Sequence, residues 1–209
     1  MQDLFLSAFV TLFLVIDPPG CAPIYAGLVS GATPAQARAM AIKASLIAAA
    51  ILFVFALFGE GLLSALHIGL DAFRIAGGIM LFTIALDMVF EKRTERREQR
   101  AEKVRAHNAE THTVEDVSVF PMAMPMIAGP GSIATIMLLM SRSEGTEQTL
   151  VVLAALLAVM ACTLLALLAA GPLMRLIGQQ SEAVITRLLG VLLAALATQY
   201  VIDGIRAQF

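Results

Sequence analysis

The sequence predicts an all-α membrane protein: six transmembrane helices arranged as two inverted three-helix repeats, with helices 1 and 4 broken. Composition is the first observation behind that reading. Of 209 residues, 59 % are hydrophobic and 14 % charged, with a mean hydropathy of +0.85, whereas soluble chains run at about 45–50 % apolar and about 25 % charged. A soluble chain of this length could not bury so much apolar surface, so lipid is the solvent for most of it. The second observation is six apolar stretches near the ~20 residues that a bilayer crossing requires: 4–31, 39–58, 68–90, 117–140, 149–169 and 184–205. The third is a Pro–Gly motif that recurs on either side of a long charged segment. A net charge of −2 gives no footing to a nucleic-acid partner, and Cys21 and Cys162, both inside apolar runs, exclude a disulfide framework or a Cys-ligated zinc fold.

Span 1 has no basic residue ahead of its apolar run, only Asp3. It lacks the positive flank of a cleavable signal peptide and reads as mature structure. Spans 2 and 3 complete a first three-helix repeat, residues 1–90. Residues 91–116 form a charged connector, and spans 4–6 make the second, inverted repeat, 117–209. Backbone groups in lipid must be satisfied internally, so six such stretches mean a helical bundle. Seven of the fourteen basic residues sit in the connector: Lys92, Arg93, Arg96, Arg97, Arg100, Lys103 and Arg105. The connections on the same side add Arg38, Arg175 and Arg187, with Lys43 close enough to snorkel there; the other side has Arg74, Arg142 and Arg206. Cytoplasmic loops are enriched in Lys and Arg, which makes the connector cytoplasmic and places both termini outside.

The connector also carries seven acids, and spacings such as Glu91–Glu95–Glu98–Glu102 beside Lys92–Arg96–Lys103 fit a solvated helix continuing from span 3. His107, Glu110 and His112 do not share a helix face and make a poor metal site.

Three spans are an odd number, so a second copy enters the membrane from the opposite side, as in many secondary transporters. The copies align at a shift of 111 residues: Pro19-Gly20-Cys21 falls on Pro130-Gly131-Ser132. Arg74-Ile75-Ala76-Gly77 likewise echoes Arg187-Leu188-Leu189-Gly190 in the third spans. Proline costs about 3 kcal/mol in a helix interior. Pro18, Pro19 and Pro23 in span 1, and Pro121, Pro125 and Pro130 in span 4, therefore predict half-helices near 5–16 plus 22–30 and 118–126 plus 132–140. Each new half-helix begins with N–H groups that have no intrahelical partner, and the positive end of its dipole suits a carboxylate. Carbonyls released by proline can receive an ammonium or a cation. A site lined by Asp17, Pro19, Gly20, Cys21, Gly129, Gly131 and Ser132 thus suits a small zwitterion. Ser132 is an N-cap in form and Cys21 a poor one. Asp17, a carboxylate at mid-membrane, is a functional candidate by default: it binds an ammonium, carries a proton, or caps the half-helix that follows.

Arg74 and Arg187 lie at span ends, with Asp71 one turn from Arg74. Gln199 and Thr83 are polar groups placed to bond between helices, and Gly27-x-x-x-Gly31 fits a close helix crossing.

The segments Asp17-Pro18-Pro19-Gly20-Cys21-Ala22-Pro23-Ile24, Phe120-Pro121-Met122-Ala123-Met124-Pro125 and Ala128-Gly129-Pro130-Gly131-Ser132-Ile133 resemble the MarC family of bacterial inner-membrane proteins. So do Phe73-Arg74-Ile75-Ala76-Gly77-Gly78 and the closing Gln199-Tyr200-Val201-Ile202-Asp203-Gly204-Ile205. The resemblance implies a six-span bundle in the inner membrane and, for some members, transport of small neutral amino acids such as glycine and alanine. One departure is Cys21, where the family's first motif usually has Asn; a thiol is a weaker donor and acceptor than an amide.

The expected function is secondary transport of small neutral amino acids, as an exporter or facilitator, coupled to a proton through Asp17 or to Na+ on break carbonyls. No nucleotide-binding loop and no cofactor is expected, and oligomeric state, including a homo-oligomer, is left open. The rival reading is a non-transporting membrane scaffold that docks a partner through residues 91–116. An enzyme is not expected, because the spans hold no paired carboxylates, no His and no nucleophile–base pair.

Overall fold

The computed structural model describes residues 1–90, 98, 99, 102 and 116–207, with the backbone alone for 173–183. The described residues form helices joined by short turns: α1 (Gln2–Ile16), α2 (Pro18–Leu28), α3 (Pro34–Ala65), α4 (Leu70–Val89), α5 (Ser118–Ile127), α6 (Pro130–Met140), α7 (Gly145–Leu168) and α8 (Ala170–Arg206). Five helical stretches are long and apolar enough to cross a membrane, and the bent pair α5–α6 makes up to six.

Local chemistry sets the boundaries. Thr33 caps α3 reciprocally with Gln36: the Gln36 N–H donates to Thr33 Oγ1 at 3.3 Å and the Thr33 N–H to Gln36 Oε1 at 2.9 Å, with Pro34 in the first turn, where no N–H is needed. At 32 residues, α3 is about 48 Å long and projects beyond the ~30 Å hydrocarbon layer, which is why it outruns the 39–58 read from hydropathy. α8 differs most from expectation. The connection anticipated between spans 5 and 6 is helical, so one helix of 37 residues begins at Ala170, and its apolar part covers Val184–Arg206. Hydropathy registers only the part of such a helix that meets lipid.

The bundle has two ends. Lys43, Asp116 and the Val29–Thr33 and Ala169 turns lie at the connector end; the Leu66–Gly69 turn, Arg142 and Asp203 lie at the terminal end. α1 and α2 pack on α7, α3 packs on α5, α6 and α7, and α4 pairs with α8. The α4–α8 pair is antiparallel and close. A Cβ on Gly190 would stand 2.9 Å from Met88 Cβ, and one on Gly204 would stand 3.1 Å from the Asp71 carbonyl. Burial is uneven: 56 % of the apolar window of α1–α2 is buried, against 28 % for α4 and 28 % for α8. The proline-rich first span is therefore shielded by protein, the setting in which irregular backbone is tolerated at membrane depth.

Candidate functional site

α1 ends and α2 begins at one residue. Asp17 takes the left-handed conformation (φ 58°, ψ 64°) and is at once the C-cap of α1 and the N-cap of α2. The Gly20 N–H donates to its carboxylate at 3.1 Å, and the Cys21 N–H donates to its carbonyl at 3.0 Å. Pro18 and Pro19 occupy the first two positions of α2, where the missing N–H costs nothing. These facts correct the anticipated geometry. The second half-helix starts at Pro18, not near 22, because prolines in a first turn initiate a helix instead of interrupting it. Every backbone donor in that turn is already used, so α2 has no bare amide for a ligand. Pro23, one turn in, has no N–H to give the Pro19 carbonyl.

The second break is wider. α5 is an irregular, wide coil whose bonds run i→i+5, Met122 N–H to Val117 O at 3.2 Å and Ala128 N–H to Ala123 O at 2.9 Å. Phe120 (φ −127°, ψ 128°) and Met124 (φ −133°, ψ 125°), each preceding a proline, leave the helical region, as residues before proline do; both X–Pro bonds are cis. α6 then sets off at 52° to α5. Its N-cap is Gly129, extended at φ −76°, ψ 171°, and a Cβ there would overlap the Pro125 carbonyl. Ser132 is not the N-cap anticipated from its type, because its hydroxyl is turned back toward α5. The N–H groups of Gly131 and Ser132 have no acceptor among the described residues. This break, unlike the first, keeps open donors.

The two breaks share one bridging contact at equivalent positions. Cys21 Sγ donates to the Ile16 carbonyl at 3.5 Å, and Ser132 Oγ donates to the Ile127 carbonyl at 2.7 Å. In each case a small side chain five residues on ties the new half-helix to the last carbonyl of the old one. The breaks are also neighbours: a Cβ on Gly131 would stand 3.6 Å from Val15 Cγ1, two residues before Asp17. Asp17, Gly20, Cys21, Gly129, Gly131 and Ser132 are buried and Pro19 is half-buried.

Elsewhere the structure redirects several expectations. Thr83 and Gln199 bond within their own helices, to the Ile79 carbonyl at 3.0 Å and the Asp203 carboxylate at 2.7 Å, instead of across helices; a residue four positions away is the nearest partner on a helix. Gly27-x-x-x-Gly31 is no crossing motif, since α2 ends at Leu28 and Gly31 lies in the following turn. Arg74 pairs with Asp71 at 3.1 Å. Sequence reasoning missed the Arg142–Asp203 bridge at 2.6 Å and the stacking of Arg142 over Tyr200, 4.6 Å from the ring centroid. Sixty-one residues separate the two charges, and no local spacing signals such a pair. At the connector end, Lys43 meets Asp116 at 2.6 Å. That ammonium, with the Ser118 hydroxyl and N–H, holds the Asp116 carboxyl down at about 2. The remaining connector charges, save Glu98 and Glu102, lie outside the described residues, as do His107, Glu110, His112 and the Arg175 side chain.

Comparison with known proteins places this geometry in context. The profile described as MarC family integral membrane protein matches residues 2–209. A UPF0056 membrane protein of Methanocaldococcus jannaschii is 36 % identical over 202 residues, 97 % of this chain and 96 % of its own. UPF0056 membrane protein YvbG of Bacillus subtilis is 32 % identical over 209 residues, 100 % of this chain and 97 % of its own. UPF0056 inner membrane protein YhgN of Escherichia coli is 33 % identical over 201 residues, covering 96 % and 95 %. No solved structure matches the chain.

Proposed function

The chain belongs to the MarC family of integral membrane proteins, and from that premise we propose that it is a secondary transporter of small neutral amino acids, glycine and alanine foremost, in the inner (plasma) membrane. The observation that carries the reading is the pair of neighbouring, buried helix breaks, each bridged by a small side chain to the carbonyl five residues before it. That equivalence supports two inverted three-helix repeats, each opening with a broken span. In transporters built this way the substrate binds where the two breaks meet.

The breaks are chemically unequal, and their inequality suits a zwitterion. The Gly131 and Ser132 N–H groups, at the positive end of the α6 dipole, receive the carboxylate. Asp17, whose carboxylate caps α2, supplies negative charge on the facing side for the ammonium. Glycines line the site, and larger side chains are refused by volume. Flux is coupled to an ion gradient, through a proton on Asp17 or Na+ held by break carbonyls such as that of Pro19. No chemical transformation of the substrate is involved.

Proteoliposomes carrying the protein are expected to move labelled glycine and alanine faster than empty vesicles under a proton or Na+ gradient. Gly131→Leu, whose Cβ would stand 2.3 Å from Ile84 Cδ1 and so displaces the start of α6, is expected to abolish that flux. Asp17→Asn separates coupling from structure, because Asn caps a helix as well as Asp does. It is expected to retain exchange and lose proton-driven flux; unchanged coupling would remove Asp17 from the proton path. Absence of flux under both gradients would count against transport altogether.

A further inference from the structure

The two ends of the bundle are closed to different degrees. At the terminal end, Arg142, in the turn after α6, reaches Asp203 near the end of α8 at 2.6 Å, and Gln199 donates to the other Asp203 oxygen at 2.7 Å. The Arg142 guanidinium lies over the Tyr200 ring. That ring is 2 % exposed, packs in one cluster with Leu14, Val15 and Leu138, and lies near Thr11 on α1, whose hydroxyl donates to the Ser7 carbonyl. Thr11 is six residues from Asp17, or about 9 Å along a helix. Tyr200 is thus packed between the ion pair and the part of α1 that leads to the first break. At the connector end a groove of about 610 Å³ is open between the α2–α3 turn and the α7–α8 turn, walled by Tyr25, Val29, Ala37, Arg38, Leu167 and Pro172. Tyr25 belongs to α2, the half-helix that Asp17 caps, and Val29 follows its last residue.

We propose that Arg142, Asp203, Gln199 and Tyr200 form the terminal-end gate of the permeation path, shut in this structure, and that the groove beside Arg38 is the opposite, open mouth. The inference rests on the transport reading. Three features make the cluster a gate and not a fixed brace. It joins the α6–α7 turn to α8 and α1 through side chains alone. Its ion pair is about one-third exposed at each partner (35 % and 30 %), and such a pair contributes little to stability. It also lies on the α6 side of the second break, so a swing of α6 about Gly129 separates Arg142 from Asp203. Arg38, at the open mouth, presents a cation to an incoming carboxylate.

Thiol labelling in nanodiscs tests this without knowledge of the substrate. With Cys21 and Cys162 replaced by Ser, reporter cysteines are placed by Thr11→Cys behind Tyr200 and by Ala37→Cys in the groove, and probed with a membrane-impermeant maleimide. In the parent, the groove reporter is expected to label quickly and the Thr11→Cys reporter slowly. Asp203→Asn is expected to raise Thr11→Cys labelling roughly fivefold and to lower groove labelling together with it, as loss of a partly exposed pair shifts a two-state equilibrium. The charge exchange Arg142→Asp with Asp203→Arg is expected to bring the parent pattern back. Unchanged labelling in Asp203→Asn overturns the gate, and so does a rise at both reporters, which reports a loosened bundle. Reciprocal labelling without flux of any amino acid upholds the gate and removes the substrate reading.

Discussion

Cys21 and Ser132 do the same work with different strength. A hydroxyl is a better donor than a thiol; Ser132 reaches its carbonyl at 2.7 Å and Cys21, through the larger sulfur, at 3.5 Å. Ser132→Ala leaves the buried Ile127 carbonyl short of a donor, a loss of about 1–3 kcal/mol, and a lower thermal midpoint in detergent is the expected result. Cys21→Ser is expected to hold or raise that midpoint. Asp116 gives a pH signature. Its carboxyl is depressed from 3.8 to about 2, first by the Lys43 ammonium and then by Ser118. A depressed carboxyl contributes stability above its unfolded pKa and loses it as pH falls through the folded one, so the tie should weaken between about pH 4 and pH 2. Both side chains are about half exposed (52 % and 49 %), which keeps the effect below about 1 kcal/mol. Carboxyl titration of Asp116 in wild type and Lys43→Gln checks the direction: the variant should titrate higher. The sequence exposed the residues of the breaks but not their bonding. Pro and Gly announce that a helix is interrupted, yet whether a freed amide stays bare depends on which neighbour turns toward it. Asp17 fills the donors of α2, while Ser132 turns away from those of α6.

Among the elements, α4 and α8 make the closest pair. Without a hydrophobic driving force between helices in lipid, association rests on close packing of small residues. A Cβ on Gly190 would stand 2.9 Å from Met88 Cβ and 3.1 Å from the Ala85 carbonyl, whereas one on Gly171 would meet nothing within 4 Å. Gly190→Val is therefore expected to part the helices at a cost of about 1–3 kcal/mol, seen as a lower unfolding midpoint, while Gly171→Ala is neutral or slightly stabilising. Hydropathy alone located the spans, because the ~20-residue demand of the bilayer is strict. It missed the first turns of α8, which read as a connection from sequence. It also gave no warning that α3 extends to Ala65, since polar or neutral ends of a helix resemble loops in composition.

For the whole molecule, burial separates a central broken span from peripheral pairs. The α1–α2 span, joined at Asp17, is sheltered, and α4 with α8 exposes Ile79, Phe82, Leu188 and Val191. The long-range pair Arg142–Asp203 was not legible in the sequence, because contacts sixty-one residues apart depend on how the helices fold back on one another. Pro and Gly mark both places in the sequence; α5 and α6 meet there at 52°, whereas Gln2–Leu28 runs as one span across Asp17. The most direct measurement of the central claim is a structure determined with saturating glycine or alanine. A carboxylate should appear at about 2.7–3.2 Å from the N–H nitrogens of Gly131 and Ser132, with its ammonium toward Asp17. Ligand density elsewhere, or an unoccupied break at a concentration that supports flux, would contradict it.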